Sequence, residues 1–198
     1  MSVSRPLSQD DLARFKAELC DVAARLFAEH GAENVSMRQI AGAMGISPMT
    51  PYRYFASRDE ILAAVRIRGF EAFAAELEQA YADTPGGSAV KAMAAGRAYI
   101  DFAFANANTY RLMFEVHQQE DSGEGALGAA VARARATLSV YGTELIARGI
   151  PKARALAMET LVWSTLHGAV MLEMSRTTPP GSAQEALALL GQMKLHQP

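Results

Sequence analysis

The sequence has little of three things that mark whole classes of protein: cysteine, net charge and long apolar runs. Its one cysteine, Cys20, excludes an internal disulfide and leaves no cysteine cluster for zinc. The formal net charge is −2, so contact with a polyanion would need a local basic cluster. We find no apolar run near the ~18 residues of a membrane span and no signal-peptide core. We therefore expect a soluble, cytoplasmic protein with no membrane partner.

Alternating strand patterns and Gly-rich phosphate-binding loops are also missing. Instead, nearly every segment has apolar residues at helical spacing, in a chain of 198 residues of which half are hydrophobic. The fold class predicted from this pattern is all-α. We expect no catalytic residues, because there is no nucleophile elbow and no evident oxyanion hole. We also expect no metal site and no cofactor.

The predicted helices form two sets, separated by the turn at residues 85–87. The first set contains a long helix over 10–30, two short helices after Ser36 and Ser47, and a long helix over 58–83. The second set covers residues 88–106, 109–118, 125–148, 151–176 and 182–195. We divide the chain into a helix-turn-helix domain, residues 1–60, and an effector-binding and dimerisation domain, residues 61–198.

Helix starts are well marked in the first set. Ser36 with Gln39 and Ser57 with Glu60 have the spacing of capping boxes. Ser47 is the predicted N-cap of the second short helix. Pro48 would take its first position, where a missing N–H costs nothing.

Two short helices joined by a Gly-containing turn are typical of a helix-turn-helix, whose second helix fits the major groove of DNA. Residues 34–58 hold three arginines and no acidic residue, so positive charge is concentrated there. Hydroxyl groups suited to phosphate oxygens surround the arginines. They belong to Ser36, Ser47, Thr50, Tyr52 and Tyr54.

The segment VSMRQIAGAMGISPMTPYRYFASRDEIL, with LFAEHGAENVSM leading into it, resembles the DNA-binding domain of the tetracycline-repressor (TetR) family. The resemblance implies a three-helix helix-turn-helix domain followed by a C-terminal helical ligand-binding and dimerisation domain. It implies phosphate contacts from Ser36, Arg38, Tyr52 and Tyr54, and base contacts from Pro48, Met49 and Thr50. Together with Ser47, these are the predicted DNA-binding residues. The implied core of the small domain is Ile40, Met44, Ile46 and Phe55.

Pro51 departs from the family pattern, which commonly has an aliphatic residue there. A proline removes the first hydrogen bond of the recognition helix and stiffens its first turn. We therefore expect phosphate contacts to be better preserved than direct base contacts.

The stretch LVWSTLHGAVMLEM in the second half resembles a TetR subgroup marked by Trp, His and Gly. Trp163, His167 and Met171 are spaced to share one helix face, and Gly168 would let another helix approach. Two interpretations stay open: an ordinary core rich in aromatics and methionine, or a ligand cavity. The predicted ligand-binding residues are Phe102, Met113, Phe114, His117, Trp163, His167 and Met171.

The resemblance also implies a function and partners. The last two helices would form a homodimer interface, and a two-fold dimer would bind a pseudo-palindromic operator in double-stranded DNA. The predicted protein is a repressor that a small hydrophobic organic effector releases from its operator.

The same residues leave other functions open. A hydrolase could use Ser164 and His167 with Glu173. A metal sensor of the same fold could use His117 and His167 with Glu115 or Glu173. An activator, or a scaffold-like dimer that no longer binds DNA, would keep the fold and change the output.

Overall fold

The computed structural model describes residues 8–114 and 125–192, and within these ranges it contains helices and no strand. The all-α prediction is confirmed. The helices are α1 (Gln9–His30), α2 (Met37–Ala43), α3 (Arg58–Asp83), α4 (Ser88–Ala105), α5 (Ala107–Phe114), α6 (Gly125–Ala147), α7 (Lys152–Met174) and α8 (Ser182–Gln192).

The predicted caps define the early helices. The Ser8 hydroxyl accepts the Asp11 N–H at the start of α1. At α2, the Ser36 hydroxyl accepts the Gln39 N–H at 3.3 Å, and the Gln39 side chain accepts the Ser36 N–H at 2.8 Å. Both halves of this capping box are present, so two N–H groups that α2 leaves without a helical partner are satisfied.

The second short helix of the motif differs from the prediction. Ser47–Thr50 is a turn closed by the Thr50 N–H on the Ser47 carbonyl at 2.8 Å, and Pro51–Arg53 is one turn of 3₁₀-helix. Pro51 explains the change, because it has no N–H for the Ser47 carbonyl and its ring crowds that carbonyl. The prediction of a helix starting at Pro48 is therefore wrong, and a turn followed by a 3₁₀ segment stands in its place.

The described residues divide into two compact units. The first unit contains residues 8–69 and 108–114, and the second contains residues 70–107 and 125–192. Helix α3 contributes residues to both. The domain boundary expected at residue 60 stays a prediction.

The core of the first unit joins α1, α2, α5 and the first part of α3. Ile40 and Phe55 are buried there as expected, Met44 packs partly buried against them, and Ile46 is half-buried. Cys20 is also part of this core, and burial raises the pKa of its thiol. The larger buried members are Leu19, Phe27, Met37, Ile61 and Leu112.

The second unit contains α4, α6, α7 and α8, which pack on one another, and the end of α3, which contacts α4 and α6. Phe73 of α3 meets Tyr99 and Phe102 of α4 edge-on, with ring centroids 5.0 and 5.4 Å apart. Such edge-to-face pairs are favourable because the positive edge of one ring meets the negative face of the other. Helices α4 and α8 approach closely where Gly96 leaves room for Leu187.

Helix α7 is long and apolar enough to cross a membrane, judged by length and composition alone. This differs from the sequence-based expectation that no apolar run is long enough for a membrane span. Helices of soluble folds pass the same test, and α7 packs against α4, α6 and α8 within the second unit. Three of its leucines are nevertheless exposed: Leu156, Leu161 and Leu172.

Candidate nucleic-acid interface and effector region

An open cleft of ≈ 480 Å³ lies in the first unit where α2 and α3 begin. We call it the α2–α3 cleft. It is lined by residues 33–37, Tyr52 and residues 56–59. The Ser57 hydroxyl accepts the Glu60 N–H at 3.2 Å, as the predicted box requires, but the Glu60 carboxylate accepts the N–H of Ala56. The first turns of α2 and α3 border this cleft, and its lining includes two acidic residues, Glu33 and Asp59.

Arg58 is the cationic side chain of the α2–α3 cleft and is not among the predicted DNA-binding residues. Its guanidinium donates to the Glu33 carbonyl at 2.9 Å and to the Asp59 carboxylate at 2.7 and 2.9 Å. The only sequence signal was its place as the third arginine of the acid-free window. Its partners, one 25 positions away, could not be inferred from spacing.

The predicted phosphate-contacting residues differ in exposure and in whether their hydroxyl groups already form hydrogen bonds. Tyr52 is 50% exposed and lines the cleft. Ser36 lines it too, but its N–H and O–H both donate to Gln39. Tyr54 is half-buried, with its ring against Phe15 of α1 at 4.8 Å. Among these three, Tyr52 has the hydroxyl best placed for a partner in solution.

The remaining predicted DNA-binding residues lie on the surface of the same unit. Arg38 is exposed in the first turn of α2. In the Ser47–Thr50 turn, Ser47 and Pro48 are exposed, Thr50 is half-buried, and Met49 is 67% exposed. The turn therefore presents its apolar members to solvent at least as fully as its hydroxyls.

Trp163, His167 and Met171 lie on successive turns of α7, and all three are half-buried. The Arg135 guanidinium of α6 lies over the Trp163 ring, 5.8 Å from its centroid. Burial lowers the pKa of His167, which favours the neutral form of its imidazole. This face of α7 combines an aromatic ring, an imidazole and a neighbouring cation.

Of the other predicted ligand-binding residues that the structure describes, two lie in the core and one is half-buried. Phe102 and Met113 are core residues, 2% and 1% exposed, and Phe114 packs on Tyr110 with centroids 4.9 Å apart. Phe102 belongs to the second unit, while Met113 and Phe114 belong to the first. His117 lies outside the described residues.

Two polar pairs that the sequence analysis missed connect α6 to its neighbours in the second unit. The Ser139 hydroxyl donates to the Glu159 carboxylate of α7 at 3.2 Å. The Arg133 guanidinium donates to both carboxylate oxygens of Glu78 in α3, at 3.0 and 2.5 Å, and holds the pKa of Glu78 below its usual value. Both pairs join residues that are far apart in sequence, so no local sequence motif predicts them.

Glu173 has a structural role that weakens both alternatives built on it. Its two carboxylate oxygens accept the N–H groups of Gly181 and Ala183 at 2.8 and 2.9 Å, which fixes the corner between α7 and α8.

Ser164, the nucleophile of the hydrolase alternative, is an exposed residue of α7. Among the described residues, no three His, Cys, Asp or Glu side chains cluster as a metal site. Glu115, like His117, lies outside these residues.

Two family profiles match the chain. The profile "Bacterial regulatory proteins, tetR family" matches residues 19–65, which contain the α2–α3 cleft and the Ser47–Thr50 turn. The profile "Tetracyclin repressor-like, C-terminal domain" matches residues 92–192. The chain belongs to the TetR family. This is a family of DNA-binding transcriptional regulators rather than of enzymes; the Trp-His-Gly subgroup stays a prediction.

Individual relatives agree with the TetR assignment. The chain is 28% identical over 107 residues to the HTH-type transcriptional regulators Rv1816 of Mycobacterium tuberculosis and Mb1846 of Mycobacterium bovis. The match covers 54% of this chain and 46% of each of them, so the chain spans about half the length of the curated relatives it matches.

Solved structures share the fold over almost the whole chain. A TetR family regulator from Marinobacter aquaeolei VT8 superposes with a TM-score of 0.74 at 13% identity, covering 93% of this chain and 97% of that one. FadR from Bacillus subtilis, in complex with stearoyl-CoA, gives 0.72 at 17% identity, covering 88% and 96%. A protein from Rhodococcus sp. RHA1 gives 0.77 at 21% identity, covering 96% of each chain.

Proposed function

We propose that this TetR-family protein is a cytoplasmic repressor that binds a pseudo-palindromic operator as a homodimer and leaves it when a small hydrophobic effector binds. The observation that supports DNA binding is the α2–α3 cleft, in which Tyr52 and Arg58 lie beside the first turns of α2 and α3. Phenol and guanidinium donors beside helix N-termini suit phosphate oxygens. Arg38, also exposed on α2, adds charge to the same unit.

Dimerisation is supported by the apolar surface that α7 and α8 leave uncovered. Leu161 and Leu172 of α7 and Leu189 of α8 are exposed. A Cβ placed on Gly168 would meet no atom within 4 Å, so this point of α7 is open to another helix. A second copy of the chain would bury this surface, and apolar burial is the main driving force of such interfaces.

The dimer is tested by Leu172→Glu combined with Leu189→Glu. Charges at a buried apolar interface should convert the dimer to monomer, measured by light scattering after gel filtration. Val90→Glu, at another exposed apolar position on α4, is the control and should leave the mass unchanged. A monomeric wild-type protein at micromolar concentration would contradict the proposal.

The effector part is supported by the face of α7 that carries Trp163, His167 and Met171. An apolar surface with a few polar groups suits a largely hydrophobic organic molecule. The FadR structure with stearoyl-CoA is a member of this fold with an acyl compound bound. Stearoyl-CoA is therefore the first probe to titrate.

The effector acts only through its difference in affinity for the DNA-bound and free states. A coupling of ~1–3 kcal/mol would lower operator affinity ~5–150-fold, and saturating operator would weaken effector binding by the same factor. A compound that binds tightly and leaves operator affinity unchanged is not the effector.

The decisive experiment is selection of sites from random duplex DNA by purified, ligand-free protein, followed by affinity measurements against salt. A palindromic site with a steep salt slope supports the proposal. Arg38→Ala and Tyr52→Phe should weaken all sequences about equally, whereas Thr50→Ala should change which sequences are preferred. No enrichment, repeated after refolding away any co-purified ligand, would overturn it.

A further inference from the structure

The Ser47–Thr50 turn carries an exposed apolar tip, formed by Pro48 and Met49. Met49 is 67% exposed, which is the largest exposed fraction among the large hydrophobic side chains of the described residues. Pro48, beside it, is exposed as well. Burying such a tip against an apolar group of a partner would be favourable, because apolar surface would be removed from water.

The backbone holds this tip in one conformation. The Thr50 N–H donates to the Ser47 carbonyl at 2.8 Å, and the proline ring of Pro48 restricts the second position of the turn. The 3₁₀ segment after the turn is tied in the same way, by the Arg53 N–H on the Thr50 carbonyl at 3.1 Å. Little conformational entropy is therefore lost when the tip meets a partner.

The chemistry of the tip limits what it can recognise on DNA. Neither proline nor methionine has an N–H or O–H to donate, so the tip cannot form the paired hydrogen bonds by which Arg, Asn or Gln distinguish guanine and adenine. The Ser47 and Thr50 hydroxyls can bond to more than one base edge and discriminate poorly. One base in the major groove presents an apolar group, the 5-methyl of thymine.

The neighbouring residues favour DNA over an apolar protein partner. Tyr52, two residues after the turn, lines the α2–α3 cleft with Arg58. Residues 34–58 contain no acidic side chain. A rigid apolar tip beside phosphate-binding groups fits a base edge flanked by its own sugar-phosphate strand.

We propose that the Pro48–Met49 tip recognises the 5-methyl group of thymine in each operator half-site. The inference rests on the proposed function and names the base chemistry of that interface. The 3₁₀ segment rises ~2.0 Å per residue, so its three residues span about two base-pair steps of ~3.4 Å. With so short an element, a thymine contact at the tip supplies a large share of the base preference.

Replacing single thymidines of the selected operator with deoxyuridine tests this directly, because only the methyl group is lost and every hydrogen-bonding edge stays. At the contacted position in each half-site, we expect wild-type affinity to fall about fourfold, the equivalent of ~0.8 kcal/mol for one buried methyl. Thymidines elsewhere in the site should tolerate the exchange.

Met49→Ala should bind the thymidine and deoxyuridine operators equally. Val90→Ala, which removes another exposed apolar side chain from α4, should keep the fourfold difference. Circular dichroism checks that both variants are folded. A difference that persists in both Met49→Ala and Pro48→Ala would overturn the assignment to this tip.

The two proposals fail in different ways. Selective operator binding with no deoxyuridine penalty at any position overturns the thymine contact and leaves the proposed function standing. Absence of any selective DNA binding overturns the proposed function and this inference with it.

Discussion

The Glu159 carboxylate of α7 fills the space that a side chain on Gly142 of α6 would need. Gly142 is buried, and the same carboxylate accepts the Ser139 hydroxyl of α6 at 3.2 Å. Because Gly142 has no Cβ, the Glu159 carboxylate can lie between α6 and α7. The α6–α7 contact depends on this pair as well as on apolar packing.

A double-mutant cycle measures the relationship. Alanine in a helix interior is about 1 kcal/mol more favourable than glycine, so Gly142→Ala should stabilise the protein by that amount in a Glu159→Ala background. In the wild-type background most of the gain should disappear, because Glu159 must leave its position and lose the Ser139 hydrogen bond. Urea denaturation gives both values.

Gly42→Ala in α2 is the control, since a Cβ there meets no neighbour within 4 Å. It should change the free energy of unfolding equally with or without Glu159. Equal effects of Gly142→Ala in the two backgrounds would contradict the predicted coupling.

The helices were predictable because local physical rules set their ends. Apolar spacing and the Ser57–Glu60 pair predict a helix over 58–83, and α3 has these bounds. The capping box at Ser36 formed as expected. Pro51 shows where the prediction stopped. The sequence indicates that this proline weakens the start of the recognition helix, but not that the whole α-helical segment is lost, because that loss depends on the Ser47 carbonyl, which Pro51 has no N–H to reach.

The candidate sites were predictable only in part. The sequence pattern indicates which side chains are exposed, but it does not indicate which side chains form hydrogen bonds with one another. Arg38, Met49 and Tyr52 are on the surface, where a helix-turn-helix needs them. Arg58 lies in the α2–α3 cleft through a bond to the Glu33 carbonyl, a contact that sequence spacing does not reveal. For the same reason, the Ser139–Glu159 pair was not foreseen.

Glu173 stabilises the corner between α7 and α8. Its carboxylate accepts two backbone N–H groups, from Gly181 and Ala183. Glu173→Ala leaves both donors without this partner and should lower the free energy of unfolding by about 1–3 kcal/mol. Glu173→Gln, which keeps one accepting oxygen, should lose less. The control is Glu185→Ala, at an exposed position in the first turn of α8. An equal loss of unfolding free energy in this variant would show that the two backbone hydrogen bonds of Glu173 are not what stabilises the corner.

His167 makes stability depend on pH. Burial lowers its pKa in the folded state, so the unfolded chain binds a proton at a higher pH than the folded one. Its contribution to stability is therefore present above the unfolded value of ~6.5 and is lost as pH falls through the folded pKa. His167→Gln should lose less stability than wild type between pH 7 and pH 5 in urea melts. Parallel losses in the two proteins would contradict this.

Pro51 holds the helix-turn-helix in its turn-and-3₁₀ form. Pro51→Ala restores an N–H that can bond to the Ser47 carbonyl, so residues 48–54 should gain α-helix. The change is measured from backbone carbon chemical shifts, and base preference in a repeated selection should change with it. Pro48→Ala restores an N–H at a position where a helix start has no partner for it, and should produce no helical gain. Unchanged shifts in Pro51→Ala would show that other contacts hold the turn.

Asp59 restrains the cation of the α2–α3 cleft. Its carboxylate accepts two hydrogen bonds from Arg58, whose guanidinium would otherwise be available to a phosphate oxygen. Asp59→Asn should raise affinity for all DNA sequences by about fivefold at low salt, from ~1 kcal/mol of charge interaction in water. It should also steepen the salt slope by up to ~0.9, the value for one more neutralised phosphate.

The same substitution should act on stability in the opposite direction. Asp59 lies in the first turn of α3, where a negative charge favours the helix dipole, so Asp59→Asn should cost about 0.3–1 kcal/mol. Glu76→Gln removes the same charge from an exposed position farther along α3 and should change neither the DNA affinity nor the salt slope appreciably. If both variants raised affinity equally, net charge alone would explain the effect, and Arg58 would not be the phosphate contact that Asp59 controls.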